Sequence, residues 1–547
     1  MTLPETFLIV VPALPAMAAA AIAVARPAGE RASRWAVRTA SAAFAAAVVV
    51  AILVAVGDSV AAVVEGADGD AVVGLHASRV TALLGLLTTG VGLVVQSFAG
   101  RNLQGDLFAP RFFVLASLLT AATTSVAFAA TLGLLCASWI VAGLSLAALV
   151  THRATWQPAR RSSRRTLRSL WVGDGALLAA TLLTVVAAGD IDLRSPAEGA
   201  AALADASVPV LGGNLLAVVA VLLTIAGISR SALVPVHQWL PSTIAAPTPV
   251  SALLHAGVVN GAGMLLIRLA PVFGSSALAT HVAFAAGALT ACYATTVMLV
   301  RCDVKGNLAW STAGQMGFMT VQVATGALPA ALLHIVGHGM FKAALFLGAG
   351  GSVTAHHRHH QRPAPYVVAG SVRLGVALLV PAAALWAAYQ VFHPHLSTAA
   401  GVLVTVFAWA TAARAVGGWL RSAPFRPGPA VATAAMGAVA GVFAYIGGLT
   451  AVETFVADAL PAELANPVST TLLVATLAAV AVVVSVVWFT PGERMREVRT
   501  RVYAFALTSA PVASELTTRG SSTGVAPVPE SRHLRPDLEL ARSTRST

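Results

Sequence analysis

The chain is a succession of continuous apolar runs, each close to the length of a bilayer-crossing helix. Ala40 to Val56 and Thr470 to Trp488 carry no charged residue at all. A transmembrane helix needs roughly 20 predominantly apolar residues. The other structure that satisfies its backbone in lipid is a closed β-barrel. Barrel strands alternate apolar and polar residues over about 10 positions, and these runs do not alternate. Across all 547 residues, 57% are hydrophobic and only 10% charged, with mean hydropathy +0.81. A soluble globular protein carries about 25% charged residues, so a water-soluble fold is excluded. The expectation is an all-α, polytopic transmembrane bundle of about fifteen spans, some of them discontinuous.

The loops between runs alternate in charge. Arg26, Arg31, Arg34 and Arg38 mark the first, and Asp58, Glu65, Asp68 and Asp70 the second. Arg101 and Arg111 follow, then a strongly basic stretch with Arg153, Arg160, Arg161, Arg164, Arg165 and Arg168, then an acidic one with Asp190, Asp192, Glu198 and Asp205. Arginine-rich loops face the cytoplasm, which places the N-terminus outside and the C-terminus inside. The net charge of +12 is explained by these loops and calls for no nucleic acid. The start lacks a signal peptide's basic segment and cleavage site, so the first run is expected to be a retained span. Residues 1–490 read as the membrane domain and 491–547 as a basic cytoplasmic tail, largely disordered beyond Thr508. Cys136, Cys292 and Cys302 show no paired spacing for a metal or a disulfide framework.

Three regions carry ionisable or helix-breaking residues. In the first, Pro235, Pro241, Pro247 and Pro249 fall within fifteen positions, among Arg230, His237, Gln238, Ser242, Thr243 and Thr248. Each proline removes a backbone donor and disfavours a continuous helix. Within a membrane, such a break survives where protein or a wet cavity surrounds it. The segment is therefore a discontinuous helix at a transport site or a loop between spans. His255 follows in the next apolar run, where an ionisable side chain marks function by default. In the second region, His334, His338 and Lys342 recur at i, i+4 and i+8 in ALLHIVGHGMFKAALFLGAGG, which stacks them on one helix face about 6 Å apart. Imidazole titrates near neutral pH, and a desolvated lysine can lose its proton. Such a stripe suits proton transfer; the alternative is a helix pinned by interhelical hydrogen bonds. In the third, Asp303 and Lys305 begin a helix bearing Ser311, Thr312 and Gln315. Lys305 and Lys342 are the only lysines among 34 basic residues, which suggests that lysine chemistry matters at these two positions. Asp174, in LWVGDGALL, either caps a helix or joins the polar axis. His356, His357, His359 and His360 have no Cys or carboxylate beside them and read as a solvated loop rather than a metal site.

The stretches WLPSTIAAPTPVSALLHAGVV, DVKGNLAWSTAGQMGFM and LLHIVGHGMFKAALFL together resemble the proton-translocating antiporter-like membrane subunits. That family includes the large distal membrane subunit of respiratory complex I, the large subunit of multisubunit Na+/H+ antiporters and the membrane subunit of the DAB inorganic carbon transporter. The resemblance covers roughly residues 75 to 350. It implies that Arg230 stands where complex I relatives place a lysine. It also implies that His255, His334, His338 and Lys342 belong to a central polar axis, and that Asp174 is the family's Gly-Asp element. The respiratory and antiporter branches carry a glutamate just after a tryptophan in the fifth span; here Ile140 follows Trp139. That departure, with the basic segment after Ser145 and the wording of VQSFAGRNLQGD, makes the carbon-transporter branch the nearer one. The implied function is inward conduction of H+ or Na+ that drives CO2 hydration by a partner, a large zinc-binding subunit similar to a β-carbonic anhydrase. Zinc is expected on that partner, with neither cofactor nor enzymatic activity in this chain. The runner-up is a complex I or antiporter subunit, and behind it a membrane scaffold that has lost transport.

Overall fold

The computed structural model describes residues 2–65, 71–152, 155–206, 215–351, 368–423 and 426–509. The apolar runs fold as helices joined by short connections, so successive helices pack antiparallel. These are α1 (Leu3–Ala25), α2 (Gly29–Val56), α3 (Arg79–Asn102), α4 (Ala109–Phe128), α5 (Leu132–Val150), α6 (Gln157–Ala188) and the short α7 (Pro196–Asp205). There follow α8 (Leu215–Arg230), α9 (Trp239–Ser242), α10 (Thr248–Ala256), α11 (Gly261–Arg268), α12 (Ala270–Gly274), α13 (Ala277–Val300), α14 (Val304–Ala324) and α15 (Leu328–Gly348). The remainder are α16 (Gly370–Phe392), α17 (Thr398–Ser422), α18 (Pro427–Val456), α19 (Thr470–Phe489) and α20 (Glu493–Thr508). Between α2 and α3, the acidic loop of the sequence reading folds as an antiparallel hairpin, β1 (Val60–Glu65) and β2 (Ala71–Ala77).

Among the described residues, 13 stretches are long and apolar enough to cross a membrane, with α10 and α11 forming one of them end to end. Two more helices, α8 and α14, run between these, which agrees with the expected number of crossings. The 21-residue α14 is long enough to span. Its Lys305, Asn307, Ser311, Thr312 and Gln315 lower its hydropathy.

The main apolar core joins α1 through α15, with a few residues of the later helices, and α15 to α18 share a second, smaller one. Helices α13 and α14 touch backbone to backbone. A Cβ on Gly287 would lie 2.7 Å from the carbonyl oxygen of Gly317, and one on Gly317 2.5 Å from that of Gly287. This is the small-residue contact through which membrane helices gain van der Waals packing. By contrast, α19 is peripheral, with 6% of its apolar window buried.

The two ends of the bundle differ chemically. At the hairpin end, helix termini are closed by charged groups. Asp190 accepts from the Gly133 N–H at 3.1 Å, near the start of α5. The Arg268 guanidinium donates to the carbonyls of Val126 (2.6 Å) and Ala129 (2.5 Å) at the end of α4. The opposite, basic end carries the arginine-rich start of α6 and the tail. Within that tail, α20 packs against α13 through Tyr293 and Phe505. Arg499 there donates to the carbonyls of Val487 (2.7 Å) and Thr490 (2.8 Å), closing the end of α19.

Candidate functional site

Two helix breaks face each other in the middle of the main core. The first follows Arg230, where α8 ends. The chain turns through Ala232, at φ 53°, and the cis Val234–Pro235 bond before the single turn of α9. Pro235 and Pro241 lie in this connection, and Pro247 and Pro249 open α10 as its N-cap residue and second helical residue. Only the first helical turn tolerates proline without losing a hydrogen bond, so the four prolines fix where one helix stops and the next begins. The second break, at Gly257 to Asn260, contains no proline and joins α10 to α11 through a 3-10 turn. Ser231 ties the breaks together: its hydroxyl donates to the Val259 carbonyl (2.6 Å) and accepts from the Ala262 N–H (2.8 Å). Gly227 admits the close approach of α11, since a Cβ there would lie 3.1 Å from Ala262 Cα.

Arg230 is 2% exposed. Its Nη2 donates to Asp174 Oδ1 at 2.7 Å and to the Trp139 carbonyl at 2.9 Å, and its guanidinium lies 4.4 Å from the Trp139 ring centroid. Asp174 is therefore the buried partner of Arg230. It does not cap a helix, because α6 begins at Gln157 and Asp174 falls in its middle. The apolar run starts late, but the helix starts earlier in the arginine-rich segment, since arginine is a good helix former. The counter-charge for Arg230 therefore comes from α6. Gly143 leaves the room for it, since a Cβ there would meet Arg230 Nη1 at 3.1 Å and Asp174 Oδ2 at 3.4 Å.

The second group runs along α15. His334, His338 and Lys342 share one face, and α14 supplies a partner at each end of the stripe. His334 Nδ1 lies 2.8 Å from Gln322 Oε1, and Lys342 Nζ donates to Ser311 Oγ at 2.6 Å. Between them, His338 is 5% exposed. Neither of its ring nitrogens bonds to a described residue, and its ring centroid is 5.9 Å from that of His334. His255, 1% exposed on α10, stacks at 4.3 Å on Phe346 of α15. The structure thus brings His255, His334, His338 and Lys342 to the α10–α14–α15 junction.

Lys305 is not part of that group. It lies at the basic end, where its Nζ donates to the Ala246 carbonyl at 3.3 Å and closes the turn before α10. Asp303 caps α14 by accepting from the Gly306 N–H at 2.7 Å. Gln322 was missed by the sequence reading. Its signal was there: a lone amide in the apolar run MTVQVA. Among the described residues, no three His, Cys, Asp or Glu side chains are grouped to hold a metal. His356, His357, His359 and His360 lie outside the described residues.

Residues 129–367 match the family model for the transmembrane region of NADH:quinone oxidoreductase and Mrp antiporters. A Halothiobacillus neapolitanus protein named "Probable inorganic carbon transporter subunit DabB1" is 34% identical over 289 residues, 53% of this chain and 51% of that one. The chloroplastic NAD(P)H-quinone oxidoreductase subunit 5 of Nephroselmis olivacea is 32% identical over 280 residues, 51% of this chain and 43% of that one. The chain spans about half the length of such relatives. Its fold is also that of a chain in the Mrp complex of Dietzia sp. DQ12-45-1b, with a TM-score of 0.57 at 22% identity, covering 95% of this chain and 64% of that chain.

Proposed function

Because the chain belongs to the antiporter-like family of membrane subunits, we propose that it conducts H+ (or Na+) across the bilayer as the membrane part of an inorganic carbon uptake complex. The observation that supports this reading is the buried Asp174–Arg230 ion pair, in a chain with no carboxylate after Trp139. Branches that pump through a glutamate–lysine pair need a cation that can release its proton. Here the cation is arginine, which stays protonated, and its carboxylate partner is Asp174 on α6. Asp174–Arg230 is then a fixed electrostatic element beside the break, and proton transfer falls to α15.

On α15, successive groups are about 6 Å apart, a gap closed by one bridging water or a rotamer change. At an effective dielectric of about 20, two like charges at that distance repel by about 3 kcal/mol. A proton on Lys342 therefore disfavours one on His338, and the stripe carries one excess charge at a time. His338, whose ring nitrogens have no partner among the described residues, accepts on one and releases from the other.

The partner on this reading is a large zinc-binding, carbonic-anhydrase-like (DabA-like) subunit on the basic, cytoplasmic end. It would perform the hydration, and the ion current would make that hydration vectorial. The zinc chemistry lies there, and this chain needs no cofactor. A membrane potential supplies about 2.3 kcal/mol per charge per 100 mV, enough to hold bicarbonate away from equilibrium.

The test is growth in ambient air of a bacterium lacking carbonic anhydrase, expressing this chain with the large gene beside it. Rescue should need both proteins. It should disappear in His338→Ala and Lys342→Ala at unchanged membrane levels. A well-expressed pair that fails to rescue would reject carbon uptake. Cation-dependent proton flux in inverted vesicles would then assign the chain to the antiporter branch.

A further inference from the structure

A polar cavity of about 610 Å³ opens at the hairpin end, away from the α15 stripe. Its walls come from the end of α2, strand β2, the start of α3, the segment ahead of α7, the α11–α12 corner and the loop after α18. Arg79, Arg194 and Arg268 line it, with His76, against the two carboxylates of Asp58 and Asp458. Two of these arginines are paired at the rim. Arg79 donates to Asp458 at 2.8 Å, and Arg194 holds Asp192 at 2.7 Å and Glu65 at 3.4 Å.

Arg268 differs. It is 8% exposed, and among the described residues it has no carboxylate partner, only the neutral carbonyls of Val126 and Ala129. A buried charge is normally paired, and the carbonyls at a helix C-terminus offset it only partly. The start of α3 lines the same cavity, with Ser78 as its N-cap, and so adds the positive end of a helix dipole. His76 adds no charge at neutral pH. Burial and the nearby Arg268 hold it down to about 4, and its ring has no hydrogen-bond partner among the described residues.

We propose that this cavity is an oxyanion site, holding a carbonate- or phosphate-class group between Arg268 and the start of α3, with Arg79 and Arg194 at its mouth. The shared chemistry is a small, flat or tetrahedral anion that accepts several N–H bonds at once, which guanidinium groups favour. Two sources offer it: a free anion such as bicarbonate or inorganic phosphate, or the phosphate of an anionic lipid at this end of the bundle. The inference does not depend on carbon uptake, because it rests on residues remote from α15.

The experiment follows thermal unfolding of the full chain in nanodiscs, with bicarbonate or inorganic phosphate titrated against chloride at constant ionic strength. One set of discs is phosphatidylcholine alone; a second contains phosphatidylglycerol. A saturable rise in Tm in the neutral discs, weakened at least tenfold in Arg79→Gln and Arg194→Gln, supports a free-anion site. A rise seen only with phosphatidylglycerol, and lost in the same variants, supports a lipid headgroup. Both variants spare Arg268 and therefore the cap on α4, so they test the site without undoing the fold. A wild-type Tm that responds to neither source, or a response that both variants retain in full, overturns the proposal.

Discussion

Asp174 and Arg230 stand 56 positions apart in sequence, and each would be costly in the bundle without the other. Removing one member of a buried pair typically costs 3–5 kcal/mol, because the remaining charge is left uncompensated. Asp174→Asn is therefore expected to lower thermal stability in detergent by about 3–5 kcal/mol. The double variant Asp174→Asn with Arg230→Gln should recover most of that loss, and additive losses would contradict the pairing. A second residue-level expectation concerns His76, whose folded form resists protonation down to about 4, mainly because it is buried. The unfolded chain binds its proton near 6.5, so His76 contributes full stability above that value and loses it as pH falls towards 4. From pH 7 to pH 5 this amounts to about 2 kcal/mol; in His76→Gln, unfolding curves across that range should be flatter by that amount. At this scale the sequence was uneven. The α15 stripe was legible because helical periodicity alone puts i, i+4 and i+8 on one face. The partner of Asp174 was not, because nothing local records which helix packs beside α6.

At the scale of elements, the breaks are held by side chains as much as caused by backbone. Ser231 satisfies both an N–H and a carbonyl that the α10–α11 discontinuity leaves over. Ser231→Ala would leave both unsatisfied in a buried setting, at about 1–3 kcal/mol per group. Hydrogen exchange at Val259 to Ala262 should rise in that variant while α13 and α14 stay protected; unchanged exchange would mean that the break is held by packing alone. The first break was legible because its prolines announce it. The second was not, because glycines and a 3-10 turn leave no comparable mark in an apolar run. The hairpin was hidden for a related reason: VAAVVE and AVVGLHA are as apolar as the ends of spans, and only an antiparallel partner makes them strands.

For the whole molecule, the alternation of arginine and carboxylate between successive loops sets the two ends apart, and the proposed orientation, taken from the positive-inside rule, has the basic end in the cytoplasm. In a Cys292→Ala background, Cys302 at the basic end is exposed and Cys136 is buried. An impermeant maleimide should then spare intact cells but label inside-out vesicles. With Cys302→Ala added to that background, Ser59→Cys, exposed at the hairpin end, should give the opposite result, and a reversed pattern would invert the direction of conduction proposed above. The stripe itself has a consequence for voltage. From His334 to Lys342 the rise along α15 is about 12 Å, whereas the hydrocarbon core is about 30 Å thick. If water reaches both ends of the stripe, the transmembrane potential does not fall evenly through the protein. It is compressed into this thin septum, as across a narrow dielectric gap, and one short displacement of charge along α15 samples the whole of it.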